Sequence, residues 1–378
     1  MHRIIVLSLL LFFLVVPLYA QWESVFVPIE SGTLVKIAFI GDRGWIGSYR
    51  GNLLRTDDGG NNWQEIAKLS AISDFHFINK NEGWLSGSGL WRTHDGGETW
   101  TSLLSELDAR NTPLDFPWIK EVIESSTPLQ IYFFDSNNGV GIYEWWHAGG
   151  GAWVEADVIV ANTQDGGEHW LAKKWIAGIR KWPGGRFHID VINDRIWLLV
   201  WGMWFSSDRG ETWSDLSTPG AISNFDFLNP NDGWSNDGEG QCFRTRDGGV
   251  TWEKISQIFL WTTSALFFAS QQSGWLLMFP YREDRIYHAE LLETHDGGII
   301  WQTVPLPVDS QSRENDPRGL QEFTGGFALN NVNGDLWIYL RNFSVPLFRG
   351  KNIFGESINS SGKLTTTWGK VRSNKSGG

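Results

Sequence analysis

The chain has a single cysteine and fewer cations than anions. Cys242 is the one cysteine among 378 residues, which excludes a disulfide framework and a metal cluster built from several cysteines. Lys and Arg together number 31 against 43 Asp and Glu, so the formal net charge is −12. Nonspecific nucleic-acid binding needs cations that displace the counterions of phosphates. The acidic balance therefore argues against a nucleic-acid partner.

Long hydrophobic runs are absent beyond the first twenty residues, so no later segment is long and apolar enough to cross a bilayer. At the start, Arg3 precedes an apolar run from Ile4 to Val16, and small residues follow up to Ala20. As a helix this run would extend about 20 Å, short of a hydrocarbon core of about 30 Å. The pattern predicts a signal peptide over residues 1–20, cleaved after Ala20, and export to the periplasm or the medium. An uncleaved anchor is the alternative interpretation.

Helical periodicity is also absent, whereas glycine and tryptophan are abundant, at 43 and 24 residues. One octapeptide, Ser/Thr-x-Asp-x-Gly-x-x-Trp, occurs six times. In such a segment the Asp accepts hydrogen bonds from the backbone N–H groups that follow it, a Gly supplies the positive φ of a reversal, and the Trp returns to the hydrophobic layer. Each copy predicts a structural hairpin turn, which we call an Asp turn. The Asp and Trp residues of the six turns are Asp58 and Trp63, Asp95 and Trp100, Asp165 and Trp170, Asp208 and Trp213, Asp247 and Trp252, and Asp296 and Trp301.

A second repeat precedes each Asp turn. Ile72-Ser-Asp-Phe-His-Phe77 is followed by Gly83-Trp84, and alternating apolar residues around an Asn/Asp/Gly turn are typical of two paired strands. Each repeat therefore predicts four short strands, with the Asp turn between the third and the fourth. Six clear units and one degraded unit predict an all-β fold, a seven-bladed β-propeller of four-stranded antiparallel blades. Copies of this second repeat end at Trp45, Trp84, Val140, Trp197, Trp234, Trp275 and Trp337.

The Asp turns resemble the Asp-box, or BNR, repeat of sialidase-like and sortilin-like propellers. The pairing of Phe-x-Phe…Gly-Trp with Thr-x-Asp-Gly-Gly-x-x-Trp most resembles the photosystem II stability/assembly factor family and its bacterial relatives, over roughly residues 30–301. The resemblance implies a propeller that assembles or stabilises partner proteins. Because Asp-box turns occur in enzymes and in scaffolds alike, they are more specific for a fold than for a function.

The repeats predict one propeller domain over residues 21–371, followed by a flexible tail over 372–378. Residues Trp22–Val27 resemble the outer strands that follow the Asp turns, so we expect them to complete the last blade and remove a free sheet edge. Trp368, which ends a fragment of the turn motif, is the rival candidate for that place.

Loop lengths indicate which face of the ring carries function. In a four-stranded blade, the loops between the second and third strands and those between blades open opposite to the Asp turns. The longest of these are predicted at Glu144–Asp157 and 280–290 within blades, and at 102–128, 171–187 and 302–324 between blades. Long loops on a rigid frame commonly carry binding sites.

Aromatic rings and cations are concentrated in three of these segments. Flat rings beside cations suit a sugar face, an anionic glycan or an acidic peptide. Trp side chains that pack beneath a solvated loop are the structural alternative. The candidate binding residues are Trp145, Trp146, Trp153, Lys173, Lys174, Trp175, Arg180, Lys181, Trp182, Tyr281 and Arg282.

Signatures of catalysis are weak. Sialidases carry an Arg-Ile-Pro segment, whereas here Arg195-Ile196 is followed by Trp197 and Arg285-Ile286 by Tyr287. Glu144 and Asp157 are the weak candidates for a glycosidase carboxylate pair. The histidines show no metal-ligand spacing, and no phosphate-binding glycine loop is present, so no metal and no cofactor are expected. Cys242 falls in a predicted third strand and is expected to be a buried packing residue.

Two functions remain open on these residues. The first is an exported non-catalytic scaffold that binds a protein or surface partner through its long-loop face. The alternative is a glycan-binding or glycoside-hydrolysing protein that uses the Trp-rich loops of blades three and four.

Overall fold

Seven β-sheets form the structure, a computed structural model. No helix occurs among the described residues, and each sheet has four antiparallel strands except one that carries a fifth strand. Contacts between the first strands of six pairs of successive sheets, and a hydrophobic core shared by the remaining pair, arrange the sheets in a ring. The prediction of an all-β, seven-bladed propeller is therefore confirmed. The structure describes residues 22–29, 34–103, 106–108, 127–147, 154–181, 187–200, 202–258, 263–279, 289–307, 324–330, 334–341, 347–351 and 353.

The strands follow the blades in chain order, apart from the first. Blade seven contains β1 (Trp22–Ser24) together with β27 (Thr324–Asn330), β28 (Asp335–Arg341) and β29 (Leu347–Gly350). Blade one contains β2 (Leu34–Ile40), β3 (Arg43–Ser48), β4 (Asn52–Thr56) and β5 (Gln64–Lys68), and blade two contains β6 (Ile72–Phe77), β7 (Gly83–Gly87), β8 (Leu90–Thr93) and β9 (Thr101–Leu103). Blade three contains β10 (Glu106–Asp108), β11 (Gln130–Phe133), β12 (Gly139–His147), β13 (Val154–Thr163) and β14 (His169–Lys181), and blade four contains β15 (His188–Ile192), β16 (Arg195–Leu199), β17 (Met203–Ser206) and β18 (Ser214–Leu216). Blade five contains β19 (Ile222–Phe227), β20 (Gly233–Asp237), β21 (Gln241–Thr245) and β22 (Glu253–Gln257), and blade six contains β23 (Thr263–Phe268), β24 (Gly274–Met278), β25 (Glu290–Thr294) and β26 (Gln302–Val304).

Blade seven is built from both ends of the described chain. β1 pairs antiparallel with β29, and Trp22 lies opposite Gly350. The backbone N–H of Ile353 donates to the carbonyl of Gly334 at 3.1 Å, as Gly59 does to Asp42 within blade one at 2.8 Å. Trp22 thus occupies the place of an Asp-turn tryptophan, while the turn that precedes it comes from the other end of the chain. The predicted signal peptide, Trp368 and the tail lie outside the described residues.

Aromatic rings join neighbouring blades at four of the boundaries within the described part of the chain. Trp84 of blade two stacks on Phe133 of blade three, with ring centroids 3.8 Å apart and an interplanar angle of 6°. Phe133 in turn contacts the edge of the Asp-turn residue Trp170, 6.0 Å away at 76°. Offset and edge-on contacts of this kind are favourable geometries for aromatic pairs. The same stack between neighbouring blades is formed by Trp45 and Phe77, by Trp197 and Phe227, and by Trp234 and Phe268.

The Gly-Trp dipeptide is explained by this stack. The phenylalanine ring lies over the glycine of its own blade, and a Cβ on Gly83 would approach a ring carbon of Phe77 to 2.4 Å. Only glycine leaves the ring enough room. The adjacent Trp84 then reaches the next blade, where its Nε1–H donates to the carbonyl of Gly166 in the Asp turn at 2.8 Å.

Blade three lacks this tryptophan and uses another bond to its neighbour. Val140 stands at the Gly-Trp position, and its cross-strand partner is Asn162. The Asn162 side-chain amide donates to the carbonyl of Arg209 in the Asp turn of blade four at 3.1 Å. A polar amide therefore replaces the indole N–H at this boundary between blades.

The Asp turns form local hydrogen-bond networks. In blade two, the Thr93 hydroxyl donates to Asp95 Oδ1 at 2.8 Å and accepts the backbone N–H of Gly97 at 3.0 Å. The backbone and hydroxyl of Thr99 also donate to the Asp95 carboxylate, at 2.9 and 2.5 Å. Partial burial alone would raise the pKa of Asp95, but the hydrogen bonds from Thr99 and Thr93 outweigh it and lower the pKa to about 2. Such a carboxylate is a hydrogen-bond acceptor and is poorly suited to donate a proton.

Buried polar side chains serve the edges of the innermost strands. Lys36 of blade one donates to Asp74 of blade two at 2.7 Å, and the other oxygen of Asp74 accepts the backbone N–H of Ile131 in blade three at 3.0 Å. Next along the strand, His76 Nδ1 accepts the N–H of Phe133 at 3.1 Å. Burial and the Lys36 charge lower the pKa of His76 well below its usual value, which keeps Nδ1 available as an acceptor. These groups tie three blades together.

The interblade stack should be a major source of stability. We expect Trp84→Ala to lower the free energy of unfolding by ~3–5 kcal/mol, because it removes a fully buried ring and leaves a cavity. Trp84→Phe should lower the free energy of unfolding by less, because it keeps a ring against Phe133 and loses only the hydrogen bond to the Gly166 carbonyl. Urea unfolding measures both. A loss for Trp84→Ala no larger than that for Trp91→Ala, whose ring is half-buried, would contradict the role of the stack.

Acid should destabilise the fold through the Asp turns. The folded pKa of Asp95 is about 2, below its ordinary value of 3.8. Its ionisation therefore stabilises the fold fully above pH 4, and this contribution is lost as the pH falls through 2. We expect the free energy of unfolding to fall as the pH is lowered from 4 to 2, and to fall less in Asp95→Asn. The free energies of unfolding come from urea titrations at each pH. Identical pH dependence in the unmodified protein and in Asp95→Asn would contradict the lowered pKa of Asp95.

Candidate binding surface on the loop face

The two faces of the ring are defined by the strand directions. The Asp turns and the turns between first and second strands share one face, where hydrogen bonds link them, as from Gly96 N–H to Asn81 O at 2.7 Å. The connections between second and third strands, and those between blades, leave from the opposite face, which we call the loop face. Strands that flank the predicted long segments end on the loop face.

Blade three extends beyond its neighbours on the loop face. Strands β12 and β13 pair without interruption from Gly139 and Thr163 to His147 and Glu155. β14 pairs with β13 as far as Lys181 opposite Val154, with irregularities near Ala156 and Val160. We call residues 143–147, 154–159 and 175–181 the blade-three ribbon. The described parts of the segments predicted as an insertion and as a blade-to-blade connection, 144–147, 154–157 and 171–181, are thus strands.

A fifth strand adds to the outer edge of this blade. β10 pairs parallel with β14, and Glu106, Leu107 and Asp108 lie opposite His169, Trp170 and Leu171. The predicted four antiparallel strands are present in blade three as in the others, and β10 is an additional strand, because part of the long connection after β9 adds to the outer edge of this blade. β14 itself continues past Leu171 to Lys181.

The two candidate carboxylates lie on different faces of the ribbon. Glu144 is paired with Val158, whereas Asp157 is paired with Trp145. Since successive residues of a strand point to opposite faces, Glu144 shares the face of Val158 and Asp157 faces the other way. Asp157 is buried and Glu144 is half-buried. A glycosidase pair needs its carboxylates on either side of one substrate bond, and this register does not provide that arrangement.

The described cations of the candidate site contact blade four. Lys173 Nζ is 2.5 Å from Glu211, and Lys174 Nζ lies over the Trp204 ring, 4.3 Å from its centroid. Trp175 is half-buried and packs against the core between blades two and three. These three residues therefore position the base of the ribbon against its neighbours.

The remaining candidate residues are located only by the backbone pairing of their strands, or lie outside the described residues. Arg180 and Lys181 lie opposite Glu155 and Val154 in the β13–β14 pairing, and Trp146 lies opposite Ala156 in the β12–β13 pairing. The pairing places Trp145, Trp146, Arg180 and Lys181 near the end of the ribbon, on strands that flank β13, with the two members of each neighbouring pair on opposite faces. Trp153, Trp182, Tyr281 and Arg282 lie outside the described residues.

Other residues with reactive side chains are structural. Cys242 is buried in β21, and burial raises the pKa of its thiol to about 11. Within the described ranges, no group of three or more His, Cys, Asp or Glu side chains is arranged to hold a metal ion. The same part of the chain contains no helix that could span a membrane.

Sequence reasoning did not single out Lys36, Asp74 and His76. They stand at alternate positions of strands that are otherwise apolar, and this pattern is the signal that could have identified them. Their hydrogen bonds run to backbone groups and to one another, so they position blades rather than a substrate.

Comparison with known proteins agrees with this architecture. A family model for the photosynthesis system II assembly factor YCF48 matches residues 15–116. The chloroplastic photosystem II stability/assembly factor HCF136 of Arabidopsis thaliana is 26% identical over 318 residues, covering 68% of this chain and 77% of that protein. The photosystem II assembly lipoprotein Ycf48 of Synechococcus sp. (strain CC9902) is 24% identical over 241 residues, covering 59% of this chain and 62% of that protein.

Solved structures show the same fold. YCF48 bound to D1 peptide superposes with a TM-score of 0.58 at 18% identity, covering 88% of this chain and 97% of that chain. The GH74 xyloglucanase from Xanthomonas campestris gives 0.54 at 14% identity, covering 93% of this chain and 55% of that chain. At these identities the similarity concerns the fold alone. The seven blades, the family match over residues 15–116 and the curated relatives together show a β-propeller that is similar to the photosystem II assembly factors.

Proposed function

We propose that this protein is an exported, non-catalytic scaffold that binds an extended acidic segment of a protein partner on its loop face. The observation that carries the proposal is the blade-three ribbon, whose outer strand β14 extends to Lys181, ten residues beyond Leu171, the last residue that pairs with β10. Assembly factors among the relatives support a protein partner, and the peptide in the solved YCF48 structure supports a peptide as the ligand class.

The ribbon suits strand addition. An extended peptide can pair with the edge of a sheet through main-chain hydrogen bonds, and side-chain pockets then supply specificity. β10 already adds to the edge of β14 at His169–Leu171, in parallel orientation. A partner segment that continues in this register would lie along the remainder of β14.

The positive charge at the end of β14 favours an acidic partner segment. Arg180 and Lys181 stand at the end of β14 in a chain with a net charge of −12. Cations on an edge strand discourage two copies from pairing with each other, and they attract an acidic strand. Trp145, Trp146, Trp153 and Trp182 are proposed as the aromatic contacts, and Tyr281 and Arg282 of the segment predicted at 280–290 as further contacts.

Glycan hydrolysis is the weaker candidate. Glu144 and Asp157 occupy opposite faces of the ribbon, and the xyloglucanase similarity concerns fold alone. Glycan binding by the tryptophans, without hydrolysis, is the other form of this alternative.

Export is part of the proposal and rests on the basic and apolar start of the sequence. The Ycf48 relative from Synechococcus is named a lipoprotein, which is compatible with a leader sequence in this group of proteins. Mass spectrometry of the N-terminal peptide of the mature protein should show a chain that begins at Gln21, as glutamine or as pyroglutamate, and an N-terminus at Met1 would contradict cleavage.

Binding of a synthetic peptide tests the ligand class. A peptide of alternating Glu and Val should bind the full chain, and Arg180→Glu/Lys181→Glu should weaken binding about tenfold or more, because attraction becomes repulsion. Lys80→Glu/Lys254→Glu is the control with the same change in net charge, at exposed positions away from the ribbon, and should change affinity little. Fluorescence anisotropy of the labelled peptide gives both values.

Three results would contradict the proposal. Equal weakening in both double variants would indicate a nonspecific charge effect. Absence of peptide binding would refute the acidic-strand ligand, including the case in which residues 109–126 of this chain cover the edge. Turnover of fluorogenic glycosides that is abolished by Glu144→Gln or Asp157→Asn would establish the enzymatic alternative.

A further inference from the structure

The boundary between blades three and four, which we call the seam, lacks the aromatic unit that joins other blades. Between blades two and three, Trp84 stacks on Phe133, and Phe133 lies over Gly139 of its own blade. At the seam, the three corresponding positions of the strand pairing hold aliphatic residues, namely Val140, Val191 and Ile196. All three are buried in one core. Aliphatic side chains therefore fill the space that a ring stack occupies elsewhere.

The two boundaries of blade seven also depart from the parallel stack, but rings still meet across them. Phe39 of blade one lies 5.5 Å from Trp337 of blade seven, and Phe267 of blade six lies 6.0 Å from Phe327 of blade seven. The first strands at these boundaries also contact each other, whereas β11 and β15 at the seam have the least contact of any successive pair of first strands in the described chain. The missing stack and the separated strands mark the seam as the boundary that is held least firmly.

A shorter polar side chain at the seam replaces an arginine that fastens other boundaries. Arg92 of blade two stacks on the tryptophan of its own blade and donates to the Ser136 carbonyl of blade three at 2.9 Å. The corresponding residue of blade three is Asn162. Its amide also donates to Glu211 of blade four at 3.1 Å, but its side-chain oxygen is buried and has no hydrogen-bond partner among the described residues. Because an unpaired buried acceptor is unfavourable, Asn162 holds the seam less firmly than Arg92 holds its own boundary.

Arg209 reaches across the seam on the face of the Asp turns. The other five Asp turns have a glycine directly after the Asp, whereas blade four has Arg209 there, with a φ of +59°. This left-handed conformation suits glycine and is strained for arginine. The guanidinium carbon lies 5.1 Å from the ring centroid of Phe134, and Nη1 lies 3.6 Å from Asp135, both in blade three. Nε lies 2.7 Å from Asp194 of its own blade. The strained turn thus carries a side chain whose contact with blade three a glycine could not make.

Charged and partly exposed groups make further contacts across the seam. Lys173 pairs with Glu211, and Lys174 lies over the ring of Trp204. The side chain of Arg209 is 46% exposed. Attraction between exposed charges is weak and falls as the ionic strength increases, whereas the stacking of buried rings does not depend on such charges. Salt should therefore loosen the seam and leave the stacked boundaries closed.

We propose that the ring opens at the seam while the blades themselves stay folded, and that Arg209 is the latch that keeps the seam closed. Opening separates blade three, with its ribbon, from blade four and exposes the aliphatic core between them. The base of the ribbon then becomes mobile, because Lys173 and Lys174 lose their partners in blade four. Opening of this kind does not require the ribbon to bind a peptide, so either proposal can fail without the other.

Thiol labelling of the full chain measures the opening. In a Cys242→Ser background, Ile189→Cys places a thiol in the core of the seam, and Leu266→Cys places one between blades five and six, where Trp234 stacks on Phe268. The two positions are matched, because both are buried on a first strand and each pairs with a leucine of the second strand. We expect labelling under native conditions to be about tenfold faster or more at position 189, and to accelerate with salt there alone, because local opening exposes only the seam.

A second arm tests the latch. Arg209→Gly removes the side chain and gives this turn the residue that the other five have, so its backbone is relieved of strain. This substitution should accelerate the labelling of Ile189→Cys about tenfold and leave that of Leu266→Cys unchanged. Arg195→Ala is the control, because Arg195 belongs to the same blade but donates to the Pro230 carbonyl of blade five at 3.0 Å. It should leave labelling at position 189 unchanged.

The urea dependence of labelling separates opening from unfolding. Labelling at position 189 should depend on urea less steeply than labelling at position 266, because opening the seam exposes less surface than global unfolding. Equal rates with equal urea dependence would mean that only global unfolding exposes the two thiols, and would overturn the opening of the seam. An unchanged rate at position 189 in Arg209→Gly, or an equal increase at both positions, would overturn the role of Arg209.

Discussion

The contact between a tryptophan of one blade and a phenylalanine of the next is the interaction on which the structure depends. Trp84 and Phe133 lie parallel at 3.8 Å, and the indole N–H binds the adjacent Asp turn. Each repeat thus contains a glycine that leaves room for a phenylalanine ring, a tryptophan that stacks on the phenylalanine of the next blade, and an Asp turn whose carbonyl accepts an indole N–H. The abundance of tryptophan and glycine follows from repeating this unit around a ring. The Asp turns are parts of the frame, and their carboxylates are held as acceptors.

A frame of this kind leaves function to the positions where the repeat is broken. Blade three has Val140 in place of the stacking tryptophan, gains a fifth strand and carries the ribbon. Blade six replaces the polar turn residues with Ile299 and Ile300. Blade seven combines the two ends of the described chain. The first departure lies on the loop face and the second on the face of the Asp turns.

The sequence predicted the ring more fully than the site. Six copies of a turn and seven of a strand pair specify blade number and strand order, because each copy repeats the same local chemistry. The sequence predicted loops where the ribbon lies, because Trp145-Trp146-His147 and the Lys/Arg residues from Lys173 to Lys181 depart from the repeat. Whether such residues form strands depends on pairing partners that are distant in sequence. Likewise, β10 follows from a parallel pairing across 63 positions (Glu106 to His169). Lys36 and Asp74 were missed because their role appears only when three blades meet.

Amide hydrogen exchange along β14 tests the central claim, that the ribbon receives an acidic strand, most directly. A peptide that adds to the edge must accept and donate main-chain hydrogen bonds there, and bonded amides exchange slowly. We predict that the Glu/Val peptide slows exchange in residues 172–181 and leaves the Asp turns unchanged. Protection confined to the Asp turns, or binding without protection of residues 172–181, would contradict the account.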